Sequence, residues 1–217
     1  TKLKRKFYRF NSMEFYHNLI TEKSFQYLED LKRRHDFVLI GGWAVFMYSR
    51  QLKSKDIDII IDYSELAKMK EEYDVVKNDR LKKYEIKTGE FDIDIYLPHY
   101  SELGVDIEEI IETVIVRGGF KIPSLEMLFL LKLHAFENRR GSVKGQKDEL
   151  DLLSLAILPE FNWQIYLAIV AKFDFTTPHG LFLDFLGRTV EVKELDMNEQ
   201  KKSKIKKMIR ARCESKN

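Results

Sequence analysis

Between residues 37 and 97 the chain is built from short apolar runs and strict alternations. Phe37-Val38-Leu39-Ile40 is a continuous apolar run that stops at Gly41-Gly42, the pattern of a short buried strand over 37–40 ended by a turn. A second strand is predicted over 55–62, where Asp56-Ile57-Asp58-Ile59 alternates and turns Asp56 and Asp58 to one side. Further strands are predicted over 83–88 and 91–97. In the latter, Asp92 and Asp94 share one face and Phe91, Ile93 and Ile95 the other. Helical spacing marks an amphipathic helix over 13–34, with Phe15, Leu19, Phe25, Leu28 and Leu31 near one face. Shorter helices are expected over 43–50, 65–74 and 106–112, and a hairpin, Thr113–Arg117 with Phe120–Ile122, turns at Gly118-Gly119.

After Pro123 the pattern changes to helices over 124–138, 147–157, 161–173, 179–187 and 198–213. The predicted class is therefore α+β, a mixed sheet flanked by helices followed by a C-terminal helical bundle. Residues 1–122 form the first unit in this reading and 123–217 the second. The link between them is short, so tight packing across a cleft is expected. Residues 138–146 are the most loop-like stretch. Their Arg139, Arg140 and Lys144 suit a triphosphate, an RNA strand or a solvated connection, and they hold no P-loop pattern.

The candidate chemistry lies in the alternating strands. Two carboxylates at i, i+2 repel each other and lose hydration when partly buried, a cost that a bound cation removes. Oxygen ligands suit Mg²⁺ or Mn²⁺, which keep positions for water and phosphate oxygens. The alternative is a strand end whose aspartates face solvent. Asp94 is preferred as a third carboxylate because it lies deeper in its apolar run, and Asp92 reads as a solvated neighbour. A helix opening after Gly42 would point free backbone N–H groups at a phosphate. Ser54 could add a hydroxyl there or simply form a turn.

The ordered set Gly41-Gly42, a short helix, Asp56-x-Asp58 and an acid on a later strand resembles the DNA polymerase β type nucleotidyltransferase superfamily. That resemblance implies a nucleotidyltransferase fold. It also implies glycines that contact the triphosphate, paired aspartates Asp56 and Asp58 that hold two metal ions, and an Asp94 that helps deprotonate the attacking hydroxyl. Farther on, Leu131-Lys132-Leu133-His134-Ala135 and Lys147-Asp148-Glu149-Leu150-Asp151-Leu152 resemble the helical part of the AbiEii-like toxin nucleotidyltransferases. There the resemblance implies that Lys132 contacts the nucleotide and that Lys147 with Asp148 shapes the floor of the site. The plainer readings are a snorkelling lysine and a helix N-terminal acid. Ser54 stands where members often carry a threonine, and Arg50 is displaced, so toxin activity is not implied by the match.

Composition narrows the remaining classes. The chain has 217 residues, 44% hydrophobic and 33% charged, enough to bury a sizeable core beneath a charged surface. The Lys and Glu weighting hints at a thermophilic source. Cys213 is the single cysteine, no Cys/His cluster has zinc spacing, and no apolar run reaches spanning length. A cytoplasmic protein without membrane contact is expected. The five histidines form no zinc-protease or nucleophile pattern. Both ends are basic, Lys2, Lys4, Arg5, Lys6 and Arg9 at one and Lys201 to Arg212 at the other, while the net charge is only +2. That polarity could guide a nucleic acid, although Ile205, Met208 and Ile209 suggest that the last segment packs. The expected activity is Mg²⁺-dependent transfer of a nucleoside monophosphate from an NTP such as ATP to a hydroxyl, an RNA or tRNA end being favoured. The competing expectations are a non-catalytic nucleotide-binding partner, with a cognate antitoxin or in a defence system, and a plain RNA-binding module.

Overall fold

A computed structural model describes the backbone of residues 2–188 and 199–214, and the side chains of 18–187, 200, 203–209, 211 and 212. Five strands form one mixed sheet. β1 (Val38–Ile40) pairs antiparallel with β2 (Ile57–Ile60), and β2 runs parallel to β5 (Asp92–Tyr96). On the other side of β5 lie β4 (Lys83–Lys87) and then β3 (Val75–Asn78), both antiparallel to their neighbours. The spatial order is β1-β2-β5-β4-β3. Ile57, Ile59, Ile93 and Ile95 are fully buried, and their alternation leaves Asp58, Asp94 and Tyr96 together on the opposite face. β3 was not expected. It lies at the sheet edge with Val76 and Lys77 exposed, so neither alternation nor a continuous apolar run marks it.

The helices follow the expected order with shifted ends. α1 (Lys2–Arg34) buries Leu28 and Leu31 completely, but Leu19 is exposed and Ile20 takes the inward position. The side chains of Phe15, of the basic and aromatic residues before it, and of Lys201, Lys202, Arg210 and Cys213 lie outside the described residues. α2 (Gly41–Ser49) starts directly at the end of β1, two residues earlier than predicted. α3 (Tyr63–Glu72) is capped by Asp62, whose carboxylate accepts the Glu65 N–H. α4 (Ile107–Glu112) leads into the hairpin of β6 (Ile115–Arg117) and β7 (Phe120–Ile122), and β7 packs beside β1.

α5 (Leu125–Arg139) is buried along its whole first half, from Leu125 through Leu133, with no polar face there. Such a helix must be enclosed on all sides. α6 (Val143–Ala156), α7 (Trp163–Lys172) and α8 (Thr176–Arg188) each pack on it, and α2 touches both α5 and α6. α9 (Glu199–Glu214) packs on α7 and α8. One hydrophobic cluster joins the sheet to these helices. The loop expected over 138–146 shrinks to residues 140–142. Ser142 caps α6 by accepting the Gly145 N–H, which pulls 143–146 into the helix.

Phe129 anchors this packing, meeting Phe161, Tyr166 and Phe182 edge-on with ring centroids 5.0–5.2 Å away. Phe129→Ala is expected to lower unfolding stability by about 3–5 kcal/mol in a urea titration. A loss under about 1 kcal/mol would mean that the helices do not close on this ring.

Candidate active site

The site begins where β1 becomes α2. Gly41 has φ +64, and a Cβ there would collide with the Asp58 carboxylate, so the backbone and that carboxylate lie in direct contact. At Gly42 a Cβ would run into the Ser54 hydroxyl and approach the Lys147 ammonium. No side chain caps α2, so the first-turn N–H groups and the positive end of its dipole face this crowded corner.

Parallel pairing of β2 with β5 sets the carboxylates. Asp58 and Asp94 are direct partners in the ladder and project to the same face. Asp56 lies one step before β2, and its Oδ1 accepts the Asp92 N–H at 3.2 Å. The residue beside Asp58 is thus Asp94, whereas Asp92 is half-exposed and ion-paired with Lys87 at 2.9 Å. Tyr96, the next residue along that face, donates its hydroxyl to Asp58 Oδ1 at 3.4 Å.

β4 contributes two residues that the sequence reading did not select. The Lys83 ammonium lies 2.6 Å from Asp94 Oδ2 and 2.9 Å from Glu85 Oε1, with its side chain only 12% exposed. Asp94 Oδ1 is buried and has no hydrogen-bond partner among the described residues. Tyr96 was legible in retrospect, because it continues the Asp92-Asp94 alternation. Lys83 and Glu85 depend on β4 pairing with β5, which alternation within one strand does not reveal.

Helices α5 and α6 form the facing wall. Lys132 Nζ lies 2.7 Å from Asp151 Oδ2 and 3.4 Å from Asp148 Oδ1, and Arg139 reaches Asp148 at 3.1 Å. Lys132, expected at the nucleotide, is therefore engaged by two buried acids. Lys147 differs. Its ammonium donates to Ser54 Oγ at 3.1 Å, and no carboxylate lies within ion-pair distance among the described residues. Ser54 also donates to the Asp56 carbonyl at 3.0 Å, so it shapes the turn as well as meeting Lys147. His134 is turned away and contacts Asn138.

Burial and charge shift these groups in a consistent pattern. Burial, reinforced by the neighbouring Asp58 charge, pushes the Asp94 carboxyl up to about 6. Burial raises the Tyr96 hydroxyl well above its usual range, with Asp58 and Asp94 adding to it. Burial pulls Lys147 down, against the attraction of Asp151, Asp58 and Asp56. For Lys132 burial pulls the same way, but Asp151 and Asp148 outweigh it and the net shift is upward. Asp148 is raised by burial despite Lys132 and Arg139. Lys83 is held above the usual lysine range by Asp94 and Glu85 against the effect of burial, while Asp94 itself is raised. The two directions agree where Asp94 is ionised, above about pH 6, and there the ion pair is complete.

The donor set suits a hard divalent ion. Asp56, Asp58 and Asp94 offer only oxygens, Asp58 and Asp94 are neighbours, and the unpartnered Asp94 Oδ1 and the raised Asp94 carboxyl are conditions that a cation relieves. Among the described residues, however, no three His, Cys, Asp or Glu side chains converge as a ready-made cage. The ligands fit in chemistry and register, while Lys83 holds one of them.

Comparison with protein-family models and with curated proteins yields no match. Solved structures do resemble the chain. A candidate nucleotidyltransferase from H. pylori superposes with a TM-score of 0.53 at 16% identity, covering 90% of this chain and 94% of the other. At that identity the likeness shows a shared fold. JHP933 from Helicobacter pylori gives 0.46 at 18% identity over 85% and 90% of the two chains. An antigenic nucleotidyltransferase-like protein from Paracoccidioides brasiliensis gives 0.38 at 19% over 75% and 91%. No described helix is long and apolar enough to cross a membrane.

The Asp94 shift sets a pH dependence. A carboxyl whose pKa is higher in the folded chain binds its proton more tightly when folded. Its contribution therefore favours the fold below about pH 4 and is lost as pH rises through about 6. Asp94→Asn removes that loss, so its stability relative to the parent should rise by about 1–3 kcal/mol between pH 4 and 7, followed by urea unfolding. A pH-independent difference would show that Asp94 is not the raised group.

Proposed function

We propose that the chain is a nucleotidyltransferase that moves a nucleoside monophosphate from an NTP to a hydroxyl acceptor and releases pyrophosphate. One observation carries the reading: Asp58 and Asp94 stand side by side on parallel strands, against the open N-terminus of α2 and opposite the part-buried ammonium of Lys147. The shared fold with the candidate nucleotidyltransferase from H. pylori supports it.

In this proposal Asp56, Asp58 and Asp94 hold Mg²⁺ or Mn²⁺, which when bound neutralises phosphate charge and assists the attacking hydroxyl. The Gly41-Gly42 backbone admits the polyphosphate close to the α2 N-terminus, where N–H groups donate to its oxygens. Lys147 supplies the positive charge for the triphosphate, because a part-buried ammonium whose partner among the described residues is a neutral hydroxyl gains from an anion. Ser54 orients that ammonium. Lys132, Asp148, Asp151 and Arg139 fix the wall that carries Lys147, so Lys132 is a positioning residue here. In the same proposal Asp94 accepts the proton of the acceptor hydroxyl.

An RNA end such as tRNA is the first choice of acceptor, on the strength of the basic ends of the sequence. Assignment to the AbiEii-like branch, with an antitoxin partner, rests on the Lys132 and Lys147-Asp148 spacing alone. A second reading, nucleotide binding without turnover, draws on a separate observation: Lys83 already occupies Asp94.

Labelled NTPs incubated with Mg²⁺ and total RNA test the reading. Transfer of label is expected from the parent protein, with a loss of at least about 100-fold in Asp58→Asn. Lys147→Met should raise KM for the NTP about tenfold or more, the effect of losing a charge-assisted contact. NTP binding without transfer would favour the second reading, and unaltered transfer by Asp58→Asn would overturn the first.

A further inference from the structure

The cations around the site are not equivalent. Lys132 is buried between two acids of its own wall, Lys147 meets a hydroxyl, and Lys83 alone touches one of the three carboxylates assigned to a divalent ion. Its ammonium lies 2.6 Å from Asp94 Oδ2 and its side chain is 12% exposed, so an ion shared by Asp58 and Asp94 would meet a carboxylate that already carries a positive charge. Two cations held on one part-buried carboxylate repel each other even when each takes a different oxygen.

The same geometry offers the lysine a second seat. Glu85 Oε1 is 2.9 Å from Lys83 Nζ and is itself buried, steadied by Asn78 at 3.2 Å and by Lys87 at 3.3 Å. Glu85 is also the direct ladder partner of Asp94 across β4 and β5, so the ammonium already bridges both acids and can leave Asp94 while keeping Glu85. Neither residue would face an unpaired buried charge during the exchange, the circumstance that normally makes breaking such a pair costly.

We infer that Lys83 is a built-in counter-cation that competes with the divalent ion for Asp94. Without the ion it neutralises Asp94. When Asp94 joins Asp56 and Asp58 as a ligand, the ammonium withdraws to Glu85. Lys83 thereby sets how tightly the site takes metal and couples completion of the ligand set to its own displacement. The inference rests on the divalent-ion site of the proposed function, and it concerns a residue that the superfamily resemblance did not point to.

Mn²⁺ binding to the whole chain, measured without nucleotide by electron paramagnetic resonance and by the Mn²⁺-induced rise in melting temperature, tests it. Lys83→Met and Lys83→Gln should each bind Mn²⁺ at least about tenfold more tightly than the parent, with a larger thermal gain, and circular dichroism confirms that each is folded. Lys83→Arg, which keeps the charge, should stay near the parent. Lys87→Met removes a nearby charge that touches Glu85 and Asp92 but not Asp94, and should change affinity less than about twofold. Adding Asp94→Asn to Lys83→Met should abolish the gain. Equal affinity in parent and Lys83→Met, or an equal gain from Lys87→Met, overturns the inference and leaves the metal-dependent reading standing. If no protein in the series binds Mn²⁺, with or without NTP, both fall.

Discussion

Two like charges held side by side organise this molecule. The parallel register of β2 and β5 makes Asp58 and Asp94 neighbours, and the alternation that does so is anchored by four fully buried isoleucines on the other face. A slip of one residue would turn the carboxylates into the apolar core and the isoleucines out of it, so the core enforces the repulsive contact. The structure around the pair reads as a set of responses to that constraint. Gly41 gives the Asp58 carboxylate a bare backbone to rest against, α2 turns its positive end toward it, and Lys83 neutralises Asp94 from the next strand. The residual tension is visible in Asp94, whose carboxyl is pushed up to about 6 even with an ammonium in contact.

The helical wall repeats the theme with the opposite balance. Lys132, Asp148 and Asp151 form a nearly self-contained network of buried charge between α5 and α6, which the exposed Arg139 joins through Asp148. Such a network contributes little net stability compared with apolar residues of equal volume, but it fixes the register of the two helices against each other. That register matters because Lys147, adjacent to Asp148, is the cation that crosses to Ser54 and Gly42. A wall that satisfies its own charges leaves one ammonium available to face the glycine corner.

The strands, and with them the site's first face, were readable from sequence because alternation is local. Ile57, Ile59, Ile93 and Ile95 announce an inward face, and once that face is fixed Asp56, Asp58 and Asp94 follow. The choice of Asp94 over Asp92 rested on depth in the apolar run, and the ladder register places Asp94 beside Asp58. What escaped depends on pairing between segments. Lys83 and Glu85 reach the site only because β4 lies antiparallel to β5, and edge strand β3 carries no periodic signal. In 138–146, Gly141, Ser142 and Gly145 carry the composition of a loop, but Ser142 caps a helix that begins at Val143. Lys132 and Lys147 were equally visible, but which of them keeps an unengaged charge is a tertiary fact. It follows from Asp151 and Asp148 lying beside one and a serine beside the other.

The division of labour among the lysines bears on the proposed reaction. A site that must accept a polyphosphate needs positive charge, yet positive charge placed at the carboxylates opposes the divalent ion that the same substrate brings. The chain separates these demands in space. Its carboxylate-facing cation, Lys83, has an alternative acid 2.9 Å away and so can yield. The cation proposed to face phosphate, Lys147, meets only a hydroxyl among the described residues and so would gain by meeting an anion. A protein that bound nucleic acid by charge alone would need neither arrangement, since exposed lysines serve that purpose without burial. Partial burial of both ammonium groups, each with a different class of partner, is what the proposed metal- and phosphate-bearing substrate would call for in the corner between β2, β5 and α2.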